Sequence, residues 1–103
     1  MFKITPSAAD QILKSAQENH VSEFALRLAA RRHPDGSIEY GMGFDEIREE
    51  DVHLFCEGVD IVFNAAYKEL LNGAVMDYVE LAEGDFRFIF LNPNDPEFLP
   101  PQE

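Results

Sequence analysis

Cys56 is the one thiol in the chain, and a lone thiol becomes a nucleophile, a redox sensor or a metal ligand only where its surroundings favour the thiolate. In VHLFC it shares strand parity with Val52 and Leu54, while His53, Phe55 and Glu57 take the other side. The expectation is a small apolar side chain packed at the core; a cluster shared by the Cys56 thiols of two subunits is the alternative. His20, His33 and His53 are the remaining soft or borderline donors. They fall at a helix end, a hairpin tip and a strand, without the HxH or HxxxH spacing that converges ligands on zinc at about 2.0 to 2.3 Å. No shared metal site and no resident cofactor are expected. Carboxylates are plentiful, yet the chain has no G-x-S-x-G, P-loop, dinucleotide fingerprint or Cys–His dyad to give them a reaction, so no enzyme activity is expected. What remains is the basic knot Arg31, Arg32 and His33, followed by Asp35, in an otherwise acidic chain. These four residues are the candidate contact site for a protein partner. The alternative is that Arg31 and Arg32 balance local acids at a hairpin end.

The elements that position these groups follow from periodicity. TPSAADQILKSAQENH predicts an amphipathic helix: Thr5 caps, Pro6 suits the first helical position, Ala9, Ile12, Leu13 and Ala16 recur on one face, and Asn19 and His20 close it. The period then changes to two. In FALRLAAR, Phe24, Leu26, Leu28 and Ala30 share one side, and in SIEYGMGF so do Ile38, Tyr40, Met42 and Phe44, the mark of strands with one buried face. Pro34, Asp35 and Gly36 between them are hairpin chemistry, since proline fixes φ, aspartate bonds nearby backbone and glycine accepts positive φ. Gly41 and Gly43 suggest a bulge or the close approach of another backbone. DEIREED, Asp45 to Asp51, reads as an exposed connection. VHLFC and VDIVF form two short strands about Glu57 and Gly58. NAAYKELLNG is a short helix capped by Asn64 and ended by Gly73. AVMDYVEL and DFRFIFLN are two further strands, with Phe86, Phe88 and Phe90 on one face. The proline-rich tail, 95–103, is expected to stay out of the sheet as a flexible acidic segment.

Together these predict a mainly β (α+β) domain over residues 1–94: six or seven strands in curled, mostly antiparallel sheets or a sandwich, with two short helices. At 103 residues and 46% hydrophobic content, one domain of this length buries roughly two thirds of its unfolded surface. A single cysteine precludes an intramolecular disulfide, and no stretch reaches the roughly 20 apolar residues of a membrane span; with no signal-peptide pattern at the start, a cytoplasmic protein is expected. Twenty acids against eight bases leave a formal charge of -12. Nucleic acids and anionic membranes are therefore excluded as expected partners, and mutual repulsion favours a monomer.

FALRLAARRHPDGSIEYGMGF, GVDIVFNAAYKELLNGAVMDYV and FIFLNPN, in that order and spacing, resemble the A-type iron–sulfur carrier family, IscA or HesB. The resemblance spans Ile4 to Asn94. It implies a β-rich fold and, in ordinary members, iron or a small cluster bound by three cysteines and passed to an apoprotein, usually from a dimer or tetramer. Carried onto this chain, those ligand positions fall on Asp35, Leu99 and Pro101, none of which offers a thiolate. The chain looks most like the cysteine-free members associated with bacterial sulfur oxidation beside a reverse-acting dissimilatory sulfite reductase. That resemblance implies a cluster-free accessory or regulatory protein acting through an unidentified protein partner. The alternative is an iron or iron–sulfur carrier with non-standard ligands.

Overall fold

The computed structural model describes residues 2–95. Leu99, Pro101 and the tail from residue 96 lie outside the described residues. Helix α1 (Pro6–Glu18) begins where expected. The Thr5 hydroxyl accepts from the Ala8 N–H at 3.1 Å and itself donates to the Asp77 carboxylate at 2.6 Å, so the cap also ties the helix to the strand carrying Asp77. Its buried stripe is Ala8, Ala9, Ile12 and Ala16, whereas Leu13 is 48% exposed. The expected stripe was therefore rotated: small alanines let the helix lie close on the sheet, and Leu13, one residue past Ile12, is carried about 100° away from that contact. The helix closes as a Schellman motif. Val21 N–H bonds the Ala16 carbonyl at 2.9 Å and His20 N–H the Gln17 carbonyl at 3.2 Å, with His20 at φ 58.

Among the described residues, seven strands form two sheets. In the larger, strands β2 (Ala25–Arg32), β3 (Ile38–Asp45), β4 (Asp51–Cys56) and β5 (Val59–Asn64) lie in the order β3-β2-β5-β4. The hairpin β2–β3 is antiparallel in unbroken register from Ala25 opposite Asp45 to Arg32 opposite Ile38, but β2 pairs with β5 in parallel, Leu26 opposite Ile61. β5 sits inside the sheet and is covered on both faces, with Val59, Ile61, Val62 and Phe63 all buried, which is why its sequence reads as a continuous apolar run. The unbroken register also corrects the reading of Gly41 and Gly43. There is no bulge: a β-carbon on Gly41 would meet Ala29 at an ordinary 4.0 Å, and one on Gly43 would meet nothing within 4 Å.

The smaller sheet has the order β1-β6-β7, built from β1 (Lys3–Ile4), β6 (Val75–Ala82) and β7 (Asp85–Leu91). β1 is parallel to β6 and too short to give a period of its own. Between the sheets lies one core, including Phe2, Ile12, Leu28, Ile61, Leu71 and Met76, with Tyr40, Phe88 and Phe90 packed against it. The Tyr40 and Phe90 rings stack at 4.1 Å with an interplanar angle of 5° across the two sheets. Phe86 and Met42, placed by alternation on buried faces, are 53% and 45% exposed because they lie at strand positions that the opposite sheet does not cover. The second helix is shorter than expected. Asn64 caps it, accepting from Ala66 N–H at 2.9 Å, but a 3-10 turn at Ala65–Tyr67 leads into only one α-turn, α2 (Lys68–Leu71). Gly73, at φ +83, carries the chain on to β6. Among the described residues, no helix is long and apolar enough to cross a membrane.

Candidate functional site

Four of the residues singled out by sequence sit at the β2–β3 hairpin tip, and the structure gives each a different task. His33 N–H bonds Ser37 O at 2.8 Å and Gly36 N–H bonds His33 O at 2.9 Å, closing the tip as a turn with Gly36 at φ 91. The Asp35 carboxylate folds back into this turn: one oxygen accepts from the Ser37 hydroxyl at 2.7 Å and the Ser37 N–H at 2.9 Å. These bonds, the hydroxyl first, hold the Asp35 carboxyl below its ordinary range. Arg31 and His33 both turn to Glu39, at 3.1 and 3.2 Å. Arg31 and Glu39 are exposed and His33 is partly so, so these pairs add little stability.

Arg32 behaves differently. Its guanidinium donates to the Gly36 carbonyl at 2.6 Å and to the Asn94 carbonyl at 3.1 Å, clasping the hairpin tip to the turn that follows β7. That turn is built by two asparagines. Asn92 is fully buried; its amide donates to the Leu70 carbonyl at 2.6 Å and the Tyr40 hydroxyl at 3.0 Å, and its oxygen accepts from Asn94 N–H at 3.0 Å. The Asn94 amide donates to the Asn72 carbonyl at 2.8 Å and the Glu69 carbonyl at 3.2 Å, answering the carbonyls a helix leaves free at its C-terminus. Gly73 sits beneath this turn, where a β-carbon would meet Pro93 at 3.2 Å. Burial, above all, raises the pKa of Tyr40. Asn92, Asn94 and Tyr40 were missed as site-builders, because strand alternation cannot show that an asparagine beyond a strand end turns inward.

Cys56 and the tip are far apart. Cys56 lies opposite Val59, two residues before the level of Leu26, so the eight residues of β2, rising about 3.3 Å each, put roughly 25 Å between the thiol and the tip. As expected, Cys56 packs against the core, half-buried, with its sulfur 4.0 Å from the Phe2 carbonyl oxygen, and burial raises its pKa. His53 pairs with Asp60 at 2.8 Å, on the face away from the core. Among the described residues, no three His, Cys, Asp or Glu side chains are grouped to hold a metal ion.

No family model matches the chain. It is 37% identical over 95 residues to a protein of Aquifex aeolicus, covering 91% of this chain and 81% of that one. It is also 33% identical over 94 residues to the iron–sulfur cluster insertion protein ErpA of Pseudomonas entomophila, covering 90% and 80%. The chain belongs to the IscA/HesB/ErpA family of A-type iron–sulfur carriers. The solved structure of IscA with a [2Fe–2S] cluster has the same fold, with a TM-score of 0.69 at 29% identity, over 90% of this chain and 83% of that one. This member of the family thus joins the shared fold to a tip whose polar groups are satisfied by the tip itself and by the Asn92–Asn94 turn.

Proposed function

We infer that this member of the carrier family works through protein contacts at the clasped tip rather than by carrying iron or an iron–sulfur cluster, and we assign it no reaction of its own. The observation that carries this reading is the donor set. One thiol serves the whole chain, it lies roughly 25 Å from the tip, and the Asp35 carboxylate is taken up by Ser37. A cluster held by soft thiolates does not fit those residues. Arg31, Arg32 and His33 form the contact edge, with Asp35 as the brace that shapes it. The resemblance to the cysteine-free protein DsrR adds a setting, an accessory or regulatory role in dissimilatory sulfur oxidation, checked by whether the gene is transcribed with the sulfite reductase subunits.

A second reading rests on the family itself: the ErpA relative is named for cluster insertion, and non-standard ligands would make this chain a carrier too. One experiment separates them. The protein is incubated anaerobically with ferrous iron, sulfide and thiol, desalted, and read for visible absorbance and iron per chain. The first reading expects a colourless protein with substoichiometric iron. Stoichiometric colour that disappears in Cys56→Ala establishes the second.

A further inference from the structure

Of the five asparagines in the chain, Asn72 is the one followed by glycine. An asparagine side chain is open to attack at Cγ by the main-chain nitrogen of the next residue, and a glycine there leaves that nitrogen without a β-carbon to screen it. Asn19, Asn64 and Asn94 precede His20, Ala65 and Asp95, and Asn92 precedes Pro93, which has no N–H to lose. The structure sets Asn72 and Gly73, both exposed, at the centre of the turn that follows α2. Ala74 N–H bonds the Leu71 carbonyl at 3.1 Å, Asn72 stands at φ -67 and ψ 125, and Gly73 at φ 83, the angles of a type II turn. In that conformation the Gly73 nitrogen is turned away from the Asn72 side chain, so attack requires the Asn72–Gly73 peptide plane to rotate. The carbonyl of that plane is the one the Asn94 amide holds at 2.8 Å, and Pro93 lies against Gly73. The turn after β7 therefore holds in place the one peptide plane whose rotation would start the reaction.

We propose that Asn72–Gly73 is a site of spontaneous deamidation and that the Asn94 clasp sets its rate. Once the plane rotates, the Gly73 nitrogen gives its proton to solvent hydroxide and bonds to Cγ of Asn72; the Cγ–Nδ2 bond breaks and ammonia leaves. Water, the only co-reactant, then opens the cyclic imide at either carbonyl, leaving aspartate or isoaspartate, and no electrons are transferred. Isoaspartate reroutes the main chain through the former side chain, one carbon longer, so the turn against Pro93 no longer keeps its shape. Because the Asn94 carbonyl also accepts from Arg32 at 3.1 Å, the change reaches the hairpin tip. The modification itself does not depend on the function proposed for that tip.

The test ages the full chain at mildly alkaline pH and follows conversion at residue 72 by peptide mass spectrometry and isoaspartate methyltransferase labelling. Fragments are localised so that isoaspartate at Asp35–Gly36 is scored separately. The folded protein is expected to convert faster at Asn72 than at any other asparagine, yet about fivefold or more slower than the same chain in denaturing urea. Asn94→Ala is expected to speed conversion by about two- to tenfold, the weight of one hydrogen bond, with Asn94→Ser as the second variant if the first fails to fold. Asn72→Gln is expected to abolish the signal, because its longer side chain must close a larger ring. Ile12→Val weakens the core under α1 without touching the clasp, and is expected to leave the rate unchanged. Conversion at Asn72 no faster than at the other asparagines, or as fast folded as in urea, overturns the proposal. So does an unchanged rate in the Asn94 variants, or an equal acceleration by Ile12→Val, which would trace the reaction to global unfolding.

Discussion

At the residue scale the strongest electrostatic arrangement was hidden in a segment read only as an exposed connection. Arg27 donates to Asp45 at 2.7 Å and grips Asp51 with two nitrogens at 2.9 and 2.6 Å, pinning both ends of that connection to one side chain of β2. The Asp51 side chain is only 3% exposed, and its bonds to Arg27, first among the causes, hold its carboxyl down to about 2. A carboxyl whose folded pKa lies below its unfolded value of about 3.9 stabilises the fold above that value and loses the contribution as pH falls toward the folded one. Asp45 is lowered as well, first by its bond from Glu46 N–H and then by Arg27. The expected outcome is a urea midpoint that is flat at neutral pH and falls steeply between about pH 4 and pH 2. In Asp51→Asn the midpoint is lower at neutral pH and the acid limb is shallower, because the titrating partner is gone while Arg27 remains without it. An unchanged acid limb in that variant contradicts this account. Nothing in DEIREED distinguishes Asp51 from its neighbours, since the arginine that selects it lies 24 residues earlier.

Elements were legible in proportion to how local their causes are. The cap at Thr5, the turn at Asp35, the cap at Asn64 and the strand pairs around Glu57–Gly58 and Glu83–Gly84 all follow from neighbours in sequence, and each stands where it was expected. The parallel pairings of β1 with β6 and of β2 with β5 did not emerge, because parallel register is set by contacts across the whole chain. At the candidate site the hairpin and its basic residues were readable, whereas the clasp from Arg32 to Asn94 spans 62 positions and was not. One local feature runs against preference: His20 occupies the left-handed position of the Schellman motif that glycine favours. Relieving its β-carbon is expected to stabilise His20→Gly by about 1 kcal/mol, and for a domain of this size that corresponds to a melting temperature higher by roughly 4 to 8 °C. Calorimetry checks it. A lower melting temperature would mean that the imidazole contributes more in place than its backbone costs.

For the whole molecule, open apolar edges favour association and charge opposes it. Among the described residues, the strands β1, β3, β4 and β7 are sheet edges, and Phe55 on β4 is 71% exposed, so edge pairing between copies is geometrically open. The exposed large apolar side chains are spread over α1, β3, the 45–51 connection, β4, β6 and β7; scattered singly, they call for no partner surface. Against association stands a charge of -12 on an 11.7 kDa body, whose repulsion reaches about 30 Å at 0.01 M salt but only about 3 Å at 1 M. If scattered contacts are too weak by themselves, the protein sediments as a monomer at every salt concentration. If repulsion alone keeps the β4 edges apart, raising salt from 10 mM to 1 M produces dimers, and Phe55→Ser abolishes them. We expect the first outcome, because one exposed phenylalanine per edge buries far less than the roughly 800 Å² per partner of a stable interface. A salt-insensitive dimer or tetramer in sedimentation would show instead that a continuous surface of this fold, not charge, governs its assembly.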